Sequence, residues 1–213
     1  MKEIADALRV DYRRGALNEA DCDPDPFRQF QRWFGDAQAT EEGEINAMAL
    51  ATCGPGGLPS VRMVLMKDFS PQGVTFYTNY DSRKGAELLH SPNAALLFYW
   101  PRLERQVRIE GRVSKTAPEL SDRYFAQRPR TAQLAAVASS QSSPLPGRES
   151  LEQRVSQLDT QLAGQPVPRP QGWGGYVVAP ARFEFWQGRE SRLHDRLVYT
   201  PAENGWSISR ISP

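Results

Sequence analysis

Cationic and hydroxyl side chains gather at several points of this 213-residue chain where strands should end or helices begin. Arg62 and Lys67 bracket the run RMVLMK. At a spacing of five they fall on opposite faces of a regular strand. One strand could thus serve two anions, or a bulge could bring both to one. Ser82-Arg83-Lys84 stands at a helix start, where free backbone N–H groups favour a phosphate and two cations strengthen the attraction. The same three residues would also make an ordinary solvated cap. Tyr124 and Arg128 are four apart and share a helical face, as many surface pairs do. Gln141-Ser142-Ser143 is a polar run able to donate several hydrogen bonds. Arg192, His194 and Arg196 alternate near Trp186, so on a strand all three point one way. Cationic and titratable groups in such a row repel one another unless an anion or a dipole faces them. A lone His194 would read as a structural histidine; the row implies a ligand. Together these spacings describe a protein that binds phosphorylated molecules.

Other chemistries lack their signatures. There is no GxSxG elbow, and the only histidines are His90 and His194. Neither GxGxxG nor GxxxxGK[ST] occurs, which disfavours a Rossmann domain and a P-loop enzyme. Cys22 and Cys53 form no CxxC and no Cys/His cluster, so they read as reduced thiols and no metal site is expected. Lys+Arg 26 against Asp+Glu 25 leaves a net charge of +1, without the basic excess of a nucleic-acid binder. No run approaches 18 apolar residues, and MKEIADALRVDYRRG has no secretory core. The expected location is the cytoplasm, with no membrane partner.

The elements that must position these residues follow from periodicity. Ile4, Leu8 and Tyr12 suggest a short helix over 3–14. Asp25 caps a helix with Pro26 at its first position, and Phe27, Phe30, Phe34 and Ala37 share a face. AMALATC, PSVRMVLMK and GVTFYTN read as strands separated by GPGG and SPQG. Ser82 caps a short helix to Leu89. AALLFYWP and RQVRIEGRVSK return to strand, the latter with Val107, Ile109, Gly111 and Val113 on one face. Residues 118–138 look helical with an interruption at Pro129, and 148–163 form a polar helix with Leu151, Val155, Leu158 and Leu162 as its stripe. GYVVA, ARFEFWQ, SRLHDRLVYT and GWSISRI are four further strands. Antiparallel-looking runs of strands with few helices indicate an α+β fold, an antiparallel barrel with peripheral helices, in one domain over 1–213.

Several stretches taken in order, RMVLMK, FYTNYDSRKG, LERQVRIEGRV, YFAQRPR, QSS, WGGY and FEFWQGRESRLHDRL, resemble the pyridoxine/pyridoxamine 5′-phosphate oxidase family from about residue 8 to the C-terminus. The resemblance implies an FMN-binding split β-barrel working as a homodimer, with two FMN sites at the subunit interface. The implied reaction oxidises pyridoxine 5′-phosphate or pyridoxamine 5′-phosphate to pyridoxal 5′-phosphate. Dioxygen reoxidises the flavin and yields hydrogen peroxide. Carried over by motif, the FMN contacts are Arg62, Met63, Val64, Leu65, Met66, Lys67, Tyr77, Thr78, Arg83, Lys84, Gln106, Gln141, Ser142, Trp186 and Arg196. The substrate contacts are Arg9, Val10, Asp11, Tyr12, Lys67, Tyr124, Arg128, Arg192, Leu193 and His194, with Arg192 and His194 as the catalytic pair. The N-terminal segment 1–20 is expected to be mobile and to close over the substrate.

One position departs from the family pattern. Where the family usually has a Ser four residues after the Arg of YFxxRP, this chain has Ala132. The lost hydroxyl bond would cost roughly 0.5–1.5 kcal/mol, unless Thr131 or a water replaces it. Two other functions compete. A related phenazine-type FMN oxidase would act on a tricyclic carboxylate, but would not need Lys67, Tyr124 and Arg128. A flavin- or pyridoxal-phosphate-binding protein without turnover is the other.

Overall fold

The computed structural model describes residues 11–213. The architecture is α+β, as expected. Nine strands form one sheet: β1 (Ala47–Cys53), β2 (Pro59–Leu65), β3 (Asp68–Ser70), β4 (Gly73–Asn79), β5 (Asn93–Trp100), β6 (Arg105–Lys115), β7 (Trp173–Gln187), β8 (Asp195–Ala202) and β9 (Gly205–Arg210). Their order is β2-β1-β5-β6-β7-β4-β3, with β8 paired to β7 and β9 to β8. The pairs β3–β4, β4–β7, β7–β8 and β8–β9 are all antiparallel. Among the described residues five α-helices accompany the sheet: α1 (Pro26–Thr40), α2 (Arg83–His90), α3 (Pro118–Gln127), α4 (Arg130–Ala138) and α5 (Arg148–Gln161). No helix among the described residues is long and apolar enough to cross a membrane.

Two expectations about elements need correction. GYVVA and ARFEFWQ are one 15-residue strand, β7, with Pro180 inside it. A proline removes a ladder donor, which suggests a break. Here β4 pairs with β7 only as far as Val178, and β8 takes over from Phe183. Pro180 falls between the β4 register and the β8 register. The second correction concerns the N-terminus. Residues 3–10 of the expected first helix lie outside the described residues, and 11–14 are not helical.

Two compact units make up the chain. The first holds the described residues up to Leu50, Ala95–Gly111 and Pro180–Pro213. Its core is aromatic. Asp25 accepts a hydrogen bond from the Phe27 N–H at 2.9 Å and starts α1, whose Phe30, Trp33 and Ala37 are buried. Phe30 meets Phe98 edge-on at 5.1 Å, and Trp33 meets Phe185 at 5.2 Å. Large apolar rings of this kind contribute the most burial per residue.

The second unit holds Ala51–Ala94 and Arg112–Ala179. Phe125, Leu134, Val167 and Trp173 form a buried cluster, against which Val155, Leu158 and Leu162 of the α5 stripe pack. Ser82 caps α2, accepting from the Gly85 N–H at 3.4 Å. Gly85 is required for space: a Cβ there would lie 1.8 Å from the Tyr80 carbonyl oxygen. That close approach seats the first turn of α2, and with it Lys84, against β4.

Candidate functional site

Strand β2 ends at Leu65. Met66 is buried, and the Lys67 N–H donates to the Thr75 carbonyl at 2.8 Å. Because regular strand stops between them, Arg62 and Lys67 line one cavity instead of opposite faces. The cavity has a volume of about 920 Å³, enough for a cofactor-sized ligand. Met63, Val64, Leu65, Tyr77, Thr78, Lys84, Tyr124, Arg128, Ala132, Gln141 and Trp173 also line it. All belong to the second unit.

Lys84 is buried there. Its Nζ donates to Thr78 Oγ1 at 3.1 Å, Ser82 Oγ at 3.2 Å and Gln141 Oε1 at 2.8 Å. All three acceptors are neutral. Burial, then the Arg62 charge, hold the Lys84 ammonium below its ordinary pKa, with Glu87 opposing. A buried cation without a counter-charge is costly.

Arg128 makes a second such place. Helix α3 stops at Gln127, so Arg128 is its C-cap and not part of a shared helical face. Both it and Tyr124 reach the cavity all the same. The Arg128 guanidinium lies 4.8 Å from the Trp173 ring centre, and its buried Nη1 has no hydrogen-bond partner. Burial pushes its pKa down, with Tyr124 opposing. Tyr77 stacks on Tyr124 at 4.0 Å and on Trp173 at 5.6 Å. This aromatic platform beside a guanidinium favours a flat, anionic ligand.

Beside the cavity, Glu87 of α2 is buried. Its Oε2 accepts from Thr52 Oγ1 at 2.5 Å, Ser60 Oγ at 2.6 Å and Arg62 Nη2 at 3.1 Å. Its Oε1 accepts from Arg83 Nε at 2.9 Å. Arg62 also donates to the Thr52 and Ser60 hydroxyls. Burial raises the Glu87 pKa, but the bonds from Ser60, Thr52, Arg83 and Arg62 outweigh it and bring it down to about 2. The one advance signal for Glu87 was its i,i+4 spacing from Arg83.

Not every expected residue joins this cavity. Arg83 is exposed and bound to Glu87, and Met66 is not among the lining residues. Ser142, with φ 71°, lines a separate cavity of about 350 Å³ with Ser143. Arg9 and Val10 lie outside the described residues.

Asp11, Tyr12, Gln106, Trp186, Arg192, Leu193, His194 and Arg196 belong to the first unit. The Tyr12 ring meets Trp186 at 5.6 Å and His194 at 5.7 Å, and Trp186 lies 4.7 Å from His194. Gln106 is half-buried on β6, while Arg192 and Leu193 are exposed. Trp186 of β7 faces Arg196 of β8 in register. Arg196 donates from Nε at 2.8 Å and from Nη2 at 2.7 Å to the buried carboxylate of Glu184.

The expected row of Arg192, His194 and Arg196 on one strand face is not formed. Strand β8 begins at Asp195, and Arg192 ends a 3-10 turn over Glu190–Arg192. Ser191 and Arg192 have φ of 53° and 61°, the left-handed region that side chains disfavour. The turn instead lets His194 Nδ1 accept from the Arg189 N–H at 3.1 Å. In the neutral ring the proton is thereby assigned to Nε2. Burial, then the Arg192 charge, lower the His194 pKa, with Asp195 opposing.

Comparison with known proteins adds the following. Residues 34–162 match the family model described as pyridoxamine 5′-phosphate oxidase. Residues 173–213 match the pyridoxine 5′-phosphate oxidase C-terminal dimerisation region. A pyridoxine/pyridoxamine 5′-phosphate oxidase of Burkholderia multivorans is 55% identical over 216 residues, covering 100% of both chains. One of Rubrobacter xylanophilus is 54% identical, covering 97% of this chain and 95% of its own. Among solved structures, PhzG from Burkholderia lata in complex with tetrahydrophenazine-1-carboxylic acid is similar with a TM-score of 0.86 and 31% identity. The match covers 93% of this chain and 98% of that one.

Proposed function

This chain belongs to the pyridoxine/pyridoxamine 5′-phosphate oxidase family, and from that membership we propose that its basic residues hold FMN and a phosphorylated pyridine substrate. It is an oxidoreductase that converts pyridoxine 5′-phosphate or pyridoxamine 5′-phosphate to pyridoxal 5′-phosphate. What supports the cofactor and substrate sites is one cavity in which Lys84 and Arg128 are withdrawn from water without a direct ion pair among the described residues. Lys84 meets only neutral acceptors among the described residues, and Arg128 keeps a buried N–H unpartnered. Two such cations suit two phosphates, one on each ligand.

Arg62, Arg83 and Lys84, with Gln141 and Ser142, would hold the FMN phosphate. Met63, Val64, Leu65, Met66, Tyr77, Thr78, Gln106, Trp186 and Arg196 would complete the flavin contacts. Lys67, Tyr124 and Arg128 would hold the substrate phosphate. FMN, when bound, supplies a two-electron acceptor that dioxygen reoxidises with release of hydrogen peroxide. Arg192 is a permanent cation able to stabilise negative charge as the substrate gives up its proton. His194 has Nδ1 committed to the Arg189 N–H, so its Nε2–H acts as a donor that orients the substrate. Tyr12, against Trp186 and His194, would cover the substrate.

We also propose a homodimer with two FMN sites at the subunit interface, supported by the dimerisation region matched at 173–213. Cys22 and Cys53 are free thiols, in keeping with the cytoplasm. The test is aerobic incubation of the purified protein, supplied with FMN, with pyridoxamine 5′-phosphate. Hydrogen peroxide and an aldehyde absorbance are expected. Binding without either product would mean a carrier. Turnover of tetrahydrophenazine-1-carboxylic acid but not of the pyridine phosphate would mean a phenazine oxidase.

A further inference from the structure

We propose that Glu87 is a positioning residue for the flavin phosphate, acting through Arg62 and Arg83. The inference rests on the FMN reading above. Glu87 is 5% exposed, and its carboxylate accepts from both Arg62 and Arg83 of the proposed phosphate site. Its Oε2 gathers Thr52 from β1 and Ser60 and Arg62 from β2, while Oε1 takes Arg83 from the first turn of α2. One carboxylate thus ties two strands to the helix start that carries Lys84.

The need for such a tie is electrostatic. Arg62, Arg83 and Lys84 are like charges, and the Arg62 charge acts on Lys84 strongly enough to help lower its pKa. Left to themselves, two flexible arginines would turn away from Lys84 and from each other towards water. Glu87 fixes the Arg62 fork from one side and the Arg83 Nε from the other. Three cations less one carboxylate leave two positive charges, which match a phosphate monoester of about −1.5 to −2. Holding donors in place before the ligand arrives removes the ordering cost from binding.

Simple charge counting gives the opposite sign: deleting an anion beside a phosphate site should tighten phosphate binding. This makes the test decisive. The affinities of FMN and riboflavin for the full chain, stripped of flavin, are measured by quenching of flavin fluorescence. In Glu87→Gln the preference for FMN over riboflavin should fall by roughly tenfold, the scale of a charge-assisted bond, with riboflavin affinity held within about threefold. An unchanged or larger preference overturns the proposal. So does an equal loss of both affinities, because that is what a merely structural residue would give.

Ser60→Ala removes only the hydroxyl between Arg62 and Glu87, and serves if Glu87→Gln does not fold. Its preference should fall by about twofold to fivefold, on the scale of one neutral hydrogen bond, and no change overturns the proposal. Wild-type protein that binds FMN and riboflavin equally would overturn the cofactor reading and this inference with it. Wild-type preference that survives in Glu87→Gln overturns the role of Glu87 alone.

Discussion

Gln141 Oε1 lies 2.8 Å from Lys84 Nζ, the shortest of the three bonds that this buried ammonium makes. A neutral amide therefore takes the place that an anion would fill. On the proposed FMN reading Lys84 gives up stability for the sake of a ligand, and Lys84→Met separates the two effects. Methionine keeps the length and removes the uncompensated charge. The flavin-free variant should melt no lower than wild type. Its FMN affinity should fall by at least about tenfold, the loss of one charge-assisted contact, while riboflavin affinity stays near the wild-type value. Calorimetry of the flavin-free protein and fluorescence titration check the two halves. A lower melting temperature would mean that the ammonium is structural.

Ala132 lines the same cavity as Lys67, Tyr124 and Arg128, and Thr131 does not. Ala132→Ser should add one bond to the substrate phosphate, about 0.5–1.5 kcal/mol, or roughly twofold to tenfold in KM. The gain should appear for pyridoxine 5′-phosphate and vanish for pyridoxine, which has no phosphate. An equal change for both would place the effect elsewhere.

Much of this was legible in the sequence, and the failures have physical causes. Strands Ala47–Cys53 and Gly73–Asn79 stand where apolar-rich runs between turn segments place them, and Arg105–Lys115 where apolar alternation does. The Pro180 error came from treating a proline as a strand end, when it falls between two partners' registers. For Arg62 and Lys67 the spacing left opposite faces or a shared site open, and the end of the strand at Leu65 brings both to one cavity. The Arg192 row misled for a subtler reason. Ser191 and Arg192 adopt left-handed backbone without the glycine or asparagine that would announce it. Glu87 was missed because its partners Thr52, Ser60 and Arg62 are remote in sequence, and only the fold gathers them.

The Glu87 network also predicts an acid signature. Its carboxyl titrates at about 2 in the folded protein against an ordinary 4.5. A depressed carboxylate adds stability that is complete above the unfolded value and is lost as pH falls through the folded one. Wild type and Glu87→Gln should therefore differ most in melting temperature above about pH 5, and converge as the pH falls towards about 2. A gap that stays constant over this range would mean that the Glu87 charge contributes nothing to stability.

Arg192 offers the sharpest separation of chemistry from fold. Its side chain is exposed, and its backbone holds φ 61°, a conformation that costs a non-glycine residue about 1–2 kcal/mol. Strain kept at an exposed residue points to function. Arg192→Ala keeps the strain and removes the cation; Arg192→Gly removes both. Both variants should retain FMN affinity within about threefold and slow anaerobic flavin reduction by pyridoxine 5′-phosphate by at least roughly 100-fold, the scale of one positioned electrostatic group. Only the glycine variant should melt higher than the alanine one. The His194 pKa should rise in both, because the Arg192 charge helps to hold it down, and imidazole proton resonances report that shift directly. Arg196→Ala should behave differently, weakening FMN, since Arg196 is braced by Glu184 and assigned to the flavin. Flavin reduction at the wild-type rate in Arg192→Ala would remove Arg192 from the chemistry and leave the strained turn as a device for placing His194 alone.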